Sequence, residues 1–152
     1  MLFVVALFLQ TCSAPGWMVC TCIQRSEPRT VLEARAALAS TDAVFSGEVL
    51  RTTLRRDSTR AATVRGDSVW FRYETLVATM AVREVWRGQV PDTVDVETPA
   101  QTTMCGADLE AGRYLIDGER SGEATFVTSK CGWTRPLSRA RDLLALLRLA
   151  RS

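Results

Sequence analysis

Histidine and asparagine are both absent from the 152 residues, and Lys130 is the only lysine among nineteen basic side chains. Without histidine the chain has no side chain whose ordinary pKa lies near neutrality, and it lacks the commonest metal ligand. Ser-His and Cys-His nucleophile pairs and histidine-zinc chemistry are therefore excluded within it. Without asparagine there is no N-glycosylation acceptor and no Asn-Gly hairpin, so tight turns fall to Gly and Asp. The preference for Arg over Lys reads as a coding bias rather than a functional choice. Charge of one sign is also scarce: the net +2 is too small to argue for nucleic acid or an anionic membrane surface. A hydrophobic content of 47% and a charged content of 24% are ordinary for a globular fold, and the length suits one domain.

The N-terminus reads as a leader. Leu2 to Leu9 is an uninterrupted apolar run, too short to span a bilayer but suited to a secretory h-region. The expected division is a signal peptide over 1–16 and one domain over 17–152. Small residues at Ala14 and Gly16 predict a cut that leaves Trp17 first. A second reading takes Leu9-Gln10-Thr11-Cys12 as a bacterial lipobox, with Cys12 acylated and the protein lipid-anchored. Both place the chain outside the cytoplasm, as a secreted, periplasmic or surface-anchored protein with no transmembrane helix in its mature form.

Thr30 to Ala39 carries a helix signature, with Thr30 and Glu33 spaced as a capping box. The pattern then changes to strands. Ala43 to Leu50 is rich in Val and Phe around Gly47, a glycine that suits a bulge or the coil of a small barrel. Arg51 to Asp67 is polar and reads as a hairpin end or loop. Ser68 to Trp86 is β-prone, and Leu76, Ala78, Met80 and Val82 share one face at period two. Asp92 to Thr98 alternates through Val94 and Val96 and stops at Pro99. Gly112 to Glu119 and Glu123 to Lys130 complete about five strands, pointing to a small barrel or sandwich. Arg139 to Ala150 reads as a helix with Ser138 as N-cap and Leu143, Leu144 and Leu147 facing the barrel. Trp70-Phe71-Arg72-Tyr73 interleaves aromatics with a charge, as single-strand binders do. Core and hairpin packing accounts for them better, and no nucleic-acid partner is expected.

Cys20, Cys22, Cys105 and Cys131 would sit in an oxidising compartment, where four cysteines imply two disulfides. Strain opposes a bond between Cys20 and Cys22, which leaves two pairings. Each closes loops of roughly 80–110 residues, worth about 4–5 kcal/mol in the chain-entropy model. No C-x-x-C pair supports a structural zinc site. No lysine or histidine lies near Cys20-Thr21-Cys22 to activate a thiolate, so thiol-redox catalysis is not expected. The chain reads as a binding protein without a cofactor, not an enzyme.

The order of several fragments adds a resemblance. Cys20-Thr21-Cys22 precedes a helix and then Asp42-Ala43-Val44-Phe45-Ser46-Gly47-Glu48-Val49. Later come Val85-Trp86-Arg87-Gly88, Cys105-Gly106, Gly112-Arg113-Tyr114-Leu115 and Thr128-Ser129-Lys130-Cys131. From Cys20 to Leu137 this resembles the netrin-like domain found in tissue inhibitors of metalloproteinases. The resemblance implies a mainly β, OB-type five-stranded barrel with flanking N-terminal and C-terminal helices. It also implies disulfides Cys20–Cys105 and Cys22–Cys131. In the inhibitors, the amine and carbonyl of the first cysteine chelate the protease's zinc, a place that Cys20 would occupy. Thr21 matches the residue entering the specificity pocket, and Met104 lies in the neighbouring contact ridge. Cys20, Thr21, Cys22 and Met104 are thus the expected protease contacts. Chelation requires Cys20 to be the first residue, whereas the expected cuts leave Trp17 or Cys12 first. The expected function is accordingly an exported netrin-like binding module whose partner the sequence does not name. The alternative is a metalloendopeptidase inhibitor acting through the Cys20-Thr21-Cys22 edge.

Overall fold

Thr30 starts the first helix, α1 (Val31–Ala39), from an extended conformation. Its hydroxyl accepts the Glu33 N–H at 3.2 Å, as the capping box predicts. The reciprocal bond differs: the Glu33 carboxylate accepts the N–H of Arg29, at 2.7 Å, one residue outside the cap. At the other end Ser40 closes the helix, with its N–H and hydroxyl both directed at the Ala37 carbonyl. The computed structural model describes residues 25–64, 67–101 and 104–151, and for 59–64 and 67–71 it describes the backbone alone.

The chain then runs through β1 (Ala43–Val64), β2 (Asp67–Arg87), β3 (Thr93–Pro99), β4 (Arg113–Arg120), β5 (Thr125–Thr128) and the two-residue β6 (Arg135–Pro136). A 3-10 turn over Leu137–Arg139 leads into α2 (Arg141–Arg151). Five strands pair in the order β1-β2-β3-β5-β4, and β4 pairs back onto β1. The sheet is therefore a ring, the OB-type barrel that the sequence implied. All described pairs are antiparallel except β3 with β5.

Closure of so few strands needs a sharply coiled strand. β1 supplies it, with register shifts at Val44/Phe45, Ser46/Gly47 and Val49/Arg51. Gly47 sits at one of them, where a Cβ would press to 3.2 Å on the Ala81 carbonyl oxygen.

Alternation along the strands serves two cores. Phe45, Ala78, Met80, Val94, Val96, Tyr114, Ile116 and Phe126 point into the ring. Leu76 and Val82 pack against them, so the period-two face read from β2 is correct. Val44, Trp86 and Leu115 point outward and are covered by Ala34 and Leu38 of α1, Leu143, Leu147 and Ala150 of α2, and Trp133. The leucine stripe of α2 faces this outer core, with Leu144 packed at its margin.

Two expectations need correction. Arg51 to Asp67 was expected to be a long hairpin end or loop: the hairpin end is right and the loop is not, since the segment is strand as far as Val64 and pairs with β2 along its length. β1 leaves β4 after Glu48 and β2 joins β3 only from Thr75, so a two-stranded ribbon extends beyond the ring. Its described side chains, 51–58 and 72–74, are buried on neither face, and without a buried face there is no apolar alternation to mark a strand. Ser138 is not the N-cap of α2: it lies in the 3-10 turn, and Ala140 accepts the first helical bond, from Leu144 at 2.8 Å. Pairing of Arg135 and Pro136 with β4 holds the chain to the barrel here, and buried Ala140 then starts the helix over the outer core.

Candidate functional site

The connection from β3 to β4 makes a tight turn at one edge of the barrel. Ala100 donates to the Glu74 carbonyl at 2.9 Å, and Met104 and Gly106 both donate to the Gln101 carbonyl, at 3.0 and 3.2 Å. Beyond the turn, the Ala107 N–H reaches the hydroxyl of buried Thr98 at 2.8 Å. Cys105 takes a left-handed backbone, with φ of 63°. At position 106 any Cβ would fall 1.9 Å from the Pro99 carbonyl oxygen, so only glycine fits. The turn thus buries Cys105 and leaves Met104 exposed beside it.

A second turn meets the first. Lys130 donates its N–H to the Cys105 carbonyl at 3.0 Å, and Cys131 accepts from the N–H of Arg25 at 2.8 Å. Met104, Cys105, Lys130, Cys131 and Arg25 therefore share one edge, although up to 106 positions separate them (131 − 25). Cys105 and Cys131 are each disulfide-bonded. Cys20, Thr21 and Cys22 lie outside the described residues, as do Cys12 and the leader over 1–16. The pairing of Cys20 with Cys105 and of Cys22 with Cys131 rests on the family resemblance.

Perturbed ionisation lies elsewhere. Hydrogen bonding from Arg83, and then the charges of Arg113 and Arg83, hold the Glu48 carboxyl below its ordinary range. Hydrogen bonds to Glu97 and Asp57 push the Arg55 guanidinium further up. Both are exposed ion pairs, on the barrel wall and the ribbon. Among the described residues no three His, Cys, Asp or Glu side chains are grouped as a metal site requires. No helix among them is long and apolar enough to cross a membrane.

The closed five-stranded ring is what the resemblance implied, and on it the two cysteine-bearing turns meet. The family model for Tissue inhibitor of metalloproteinase matches residues 19–142. The chain belongs to that family. The match runs from the residue before Cys20 to Asp142 on the first turn of α2, and so takes in every expected contact residue. No curated protein matches the chain.

Within this tissue inhibitor of metalloproteinase domain, Met104, one of the expected contacts, is exposed beside buried Cys105. Sequence reasoning missed Arg25, Gln101 and Asp117. Asp117 left a signal: a carboxylate continuing the apolar run Tyr114-Leu115-Ile116 demands a partner once buried. That partner, Arg25, is 92 residues away, and no local pattern names it.

Proposed function

We propose that the protein is a non-catalytic, exported module of the metalloproteinase-inhibitor kind, which binds a zinc metalloprotease through the edge carrying Cys20, Thr21, Cys22 and Met104. The observation that carries this reading is the meeting of the Met104–Cys105 turn with the Lys130–Cys131 turn inside the span matched by the family. Disulfides Cys20–Cys105 and Cys22–Cys131 would tie the Cys20-Thr21-Cys22 strip across both turns, beside exposed Met104. Such bonds belong to an oxidising compartment, which agrees with export.

The chemistry needs no reactive group on this chain. A free amine and the carbonyl of the same residue form a five-membered chelate, so Cys20 as first residue would take the open position on the protease's catalytic zinc. The zinc-bound water that hydrolyses peptides is then displaced. Thr21 would enter the specificity pocket, and Met104 would add apolar contact at the rim. The zinc in this scheme is the partner's.

A chain beginning at Cys20 should inhibit a metzincin-class endopeptidase assayed with a fluorogenic peptide. The same chain with one added N-terminal alanine should lose most of that inhibition, because acylation removes the amine lone pair while the fold and disulfides stay intact. Equal inhibition by both refutes chelation and assigns inhibition to another surface. Absence of inhibition by both refutes the inhibitor reading and leaves a binding module with a different partner. Intact mass of the exported protein decides whether Cys20, Trp17 or Cys12 is the natural first residue.

A further inference from the structure

We propose that the cavity where α1, β2 and α2 end side by side is an anion site that takes a phosphate group. Arg35, Arg87 and Arg151 hold the anion, one from each element. The assignment is independent of the protease reading given above.

The cavity has a volume of about 240 Å³. Leu38, Ala39, Trp86 and Ala150 supply the apolar part of its wall, and the three arginines supply the rest. No carboxylate is among the described residues that line it. None of the three guanidinium groups forms an ion pair among the described residues. Exposed arginines ordinarily swing apart into water, yet two of these are anchored. Arg35 donates through Nε to the Ala150 carbonyl at 3.3 Å, and Arg87 through Nε to the Thr41 carbonyl at 3.4 Å. Each bond uses the inner nitrogen and leaves the terminal nitrogens without a partner among the described residues. Those nitrogens are the part of the group whose geometry fits an oxyanion.

Helix capping explains some of this arrangement. Ala150 lies in the last turn of α2 and Thr41 follows the C-cap of α1, where a cation offsets the partial negative charge of the helix end. The magnitudes show that capping is not the whole account. Two helix ends carry about half a negative charge each, so three full positive charges leave an excess of about +2. That excess lies against Trp86, which is 7% exposed. Its indole N–H is buried and has no hydrogen-bond partner among the described residues. An unpaired buried donor, in a residue that lines a cationic cavity, is the mark of a missing anion or water. Guanidinium groups from three elements suit a tetrahedral phosphate better than a planar carboxylate, whose two oxygens a single fork satisfies. Leu38, Ala39 and Ala150 would meet the group that carries the phosphate. That chemistry belongs equally to a soluble phosphomonoester and to a phospholipid headgroup.

Inorganic phosphate titrated into the full chain at constant ionic strength tests the site. Tryptophan fluorescence, to which Trp86 contributes, should change saturably. The melting temperature should rise with phosphate, because a ligand of the folded state stabilises it by mass action. Arg151→Gln should weaken apparent affinity about threefold, and the double variant Arg87→Gln/Arg151→Gln about tenfold or more. Arg72→Gln removes an exposed charge on the ribbon and should weaken it less than about twofold. Equal losses in Arg72→Gln and the cavity variants overturn the site, because binding would then follow net charge. Absence of both responses in the unaltered protein also overturns it. Arg151 is exposed at the end of α2, so its single variant should stay folded and decides the matter if the double variant does not. Sedimentation with phosphatidylcholine vesicles containing phosphatidylglycerol distinguishes the two sources. Vesicle binding that the double variant loses and inorganic phosphate displaces assigns the site to a lipid headgroup. Any other vesicle result, with the phosphate response intact, assigns it to a soluble phosphate compound.

Discussion

Phe126 is fully buried on β5, a strand of four residues that joins β3 on one side to β4 on the other. Its ring lies 5.4 Å from that of Phe45, tilted by 58°. The Arg120 guanidinium sits 4.8 Å above it, held there by the carbonyls of Gly122, Glu123 and Gln89. So short a strand makes few ladder bonds, and the ring is what anchors it. Phe126→Ala should therefore carry the full cost of a core aromatic truncation, about 3–5 kcal/mol. Against a total of about 5–15 kcal/mol, that is a large share of the stability. Melting should fall by roughly 6–20 °C, at about 2–4 °C per kcal/mol for a chain of this size. Phe126→Leu keeps most of the volume and forfeits the ring-specific contacts. The aromatic pair is worth about 0.5–1.5 kcal/mol and the exposed cation–π contact about 0.5–1 kcal/mol, so the expected loss is about 1–2.5 kcal/mol. Urea unfolding followed by fluorescence of buried Trp86 and Trp133 measures both variants. A cycle with Phe45→Leu should return a coupling of about 0.5–1.5 kcal/mol. A cost below about 1 kcal/mol for Phe126→Ala would refute the reasoning, because a ring closed through β5 cannot lose its anchor so cheaply.

Met80→Asp should abolish the cooperative transition, because Met80 is fully buried inside the ring and an unpaired carboxylate there has no partner. A stable folded variant by circular dichroism would mean that the register of β2 is wrong by one residue. Glu48 provides a test of pH dependence. Its carboxyl is held below the ordinary 4.5 by Arg83 and Arg113, so its stabilising effect is present above the unfolded value and lost as pH falls through the lowered one. Glu48→Gln should consequently lower the urea midpoint at pH 7, and the gap from the unaltered protein should close at strongly acid pH. A gap that persists or widens in acid contradicts this sign.

What the sequence determined by itself was local or strongly patterned. The Thr30 cap, the period-two face of Leu76, Ala78, Met80 and Val82, and the leucine stripe of α2 each follow from spacing along one element. The ribbon from Arg51 to Val64 was not legible as strand, because hydrophobic alternation reports burial of one face and the described side chains from Arg51 to Ser58 bury neither. Only the tertiary structure decided which turns meet. Ring closure places Cys105 against Lys130 and brings Arg25 to Asp117 across 92 residues. Such contacts are fixed by the register of β1 on β4 and by the coil at Gly47. A residue's own neighbours in the chain carry no information about them, since the partner's identity depends on how many strands intervene before the sheet returns to itself.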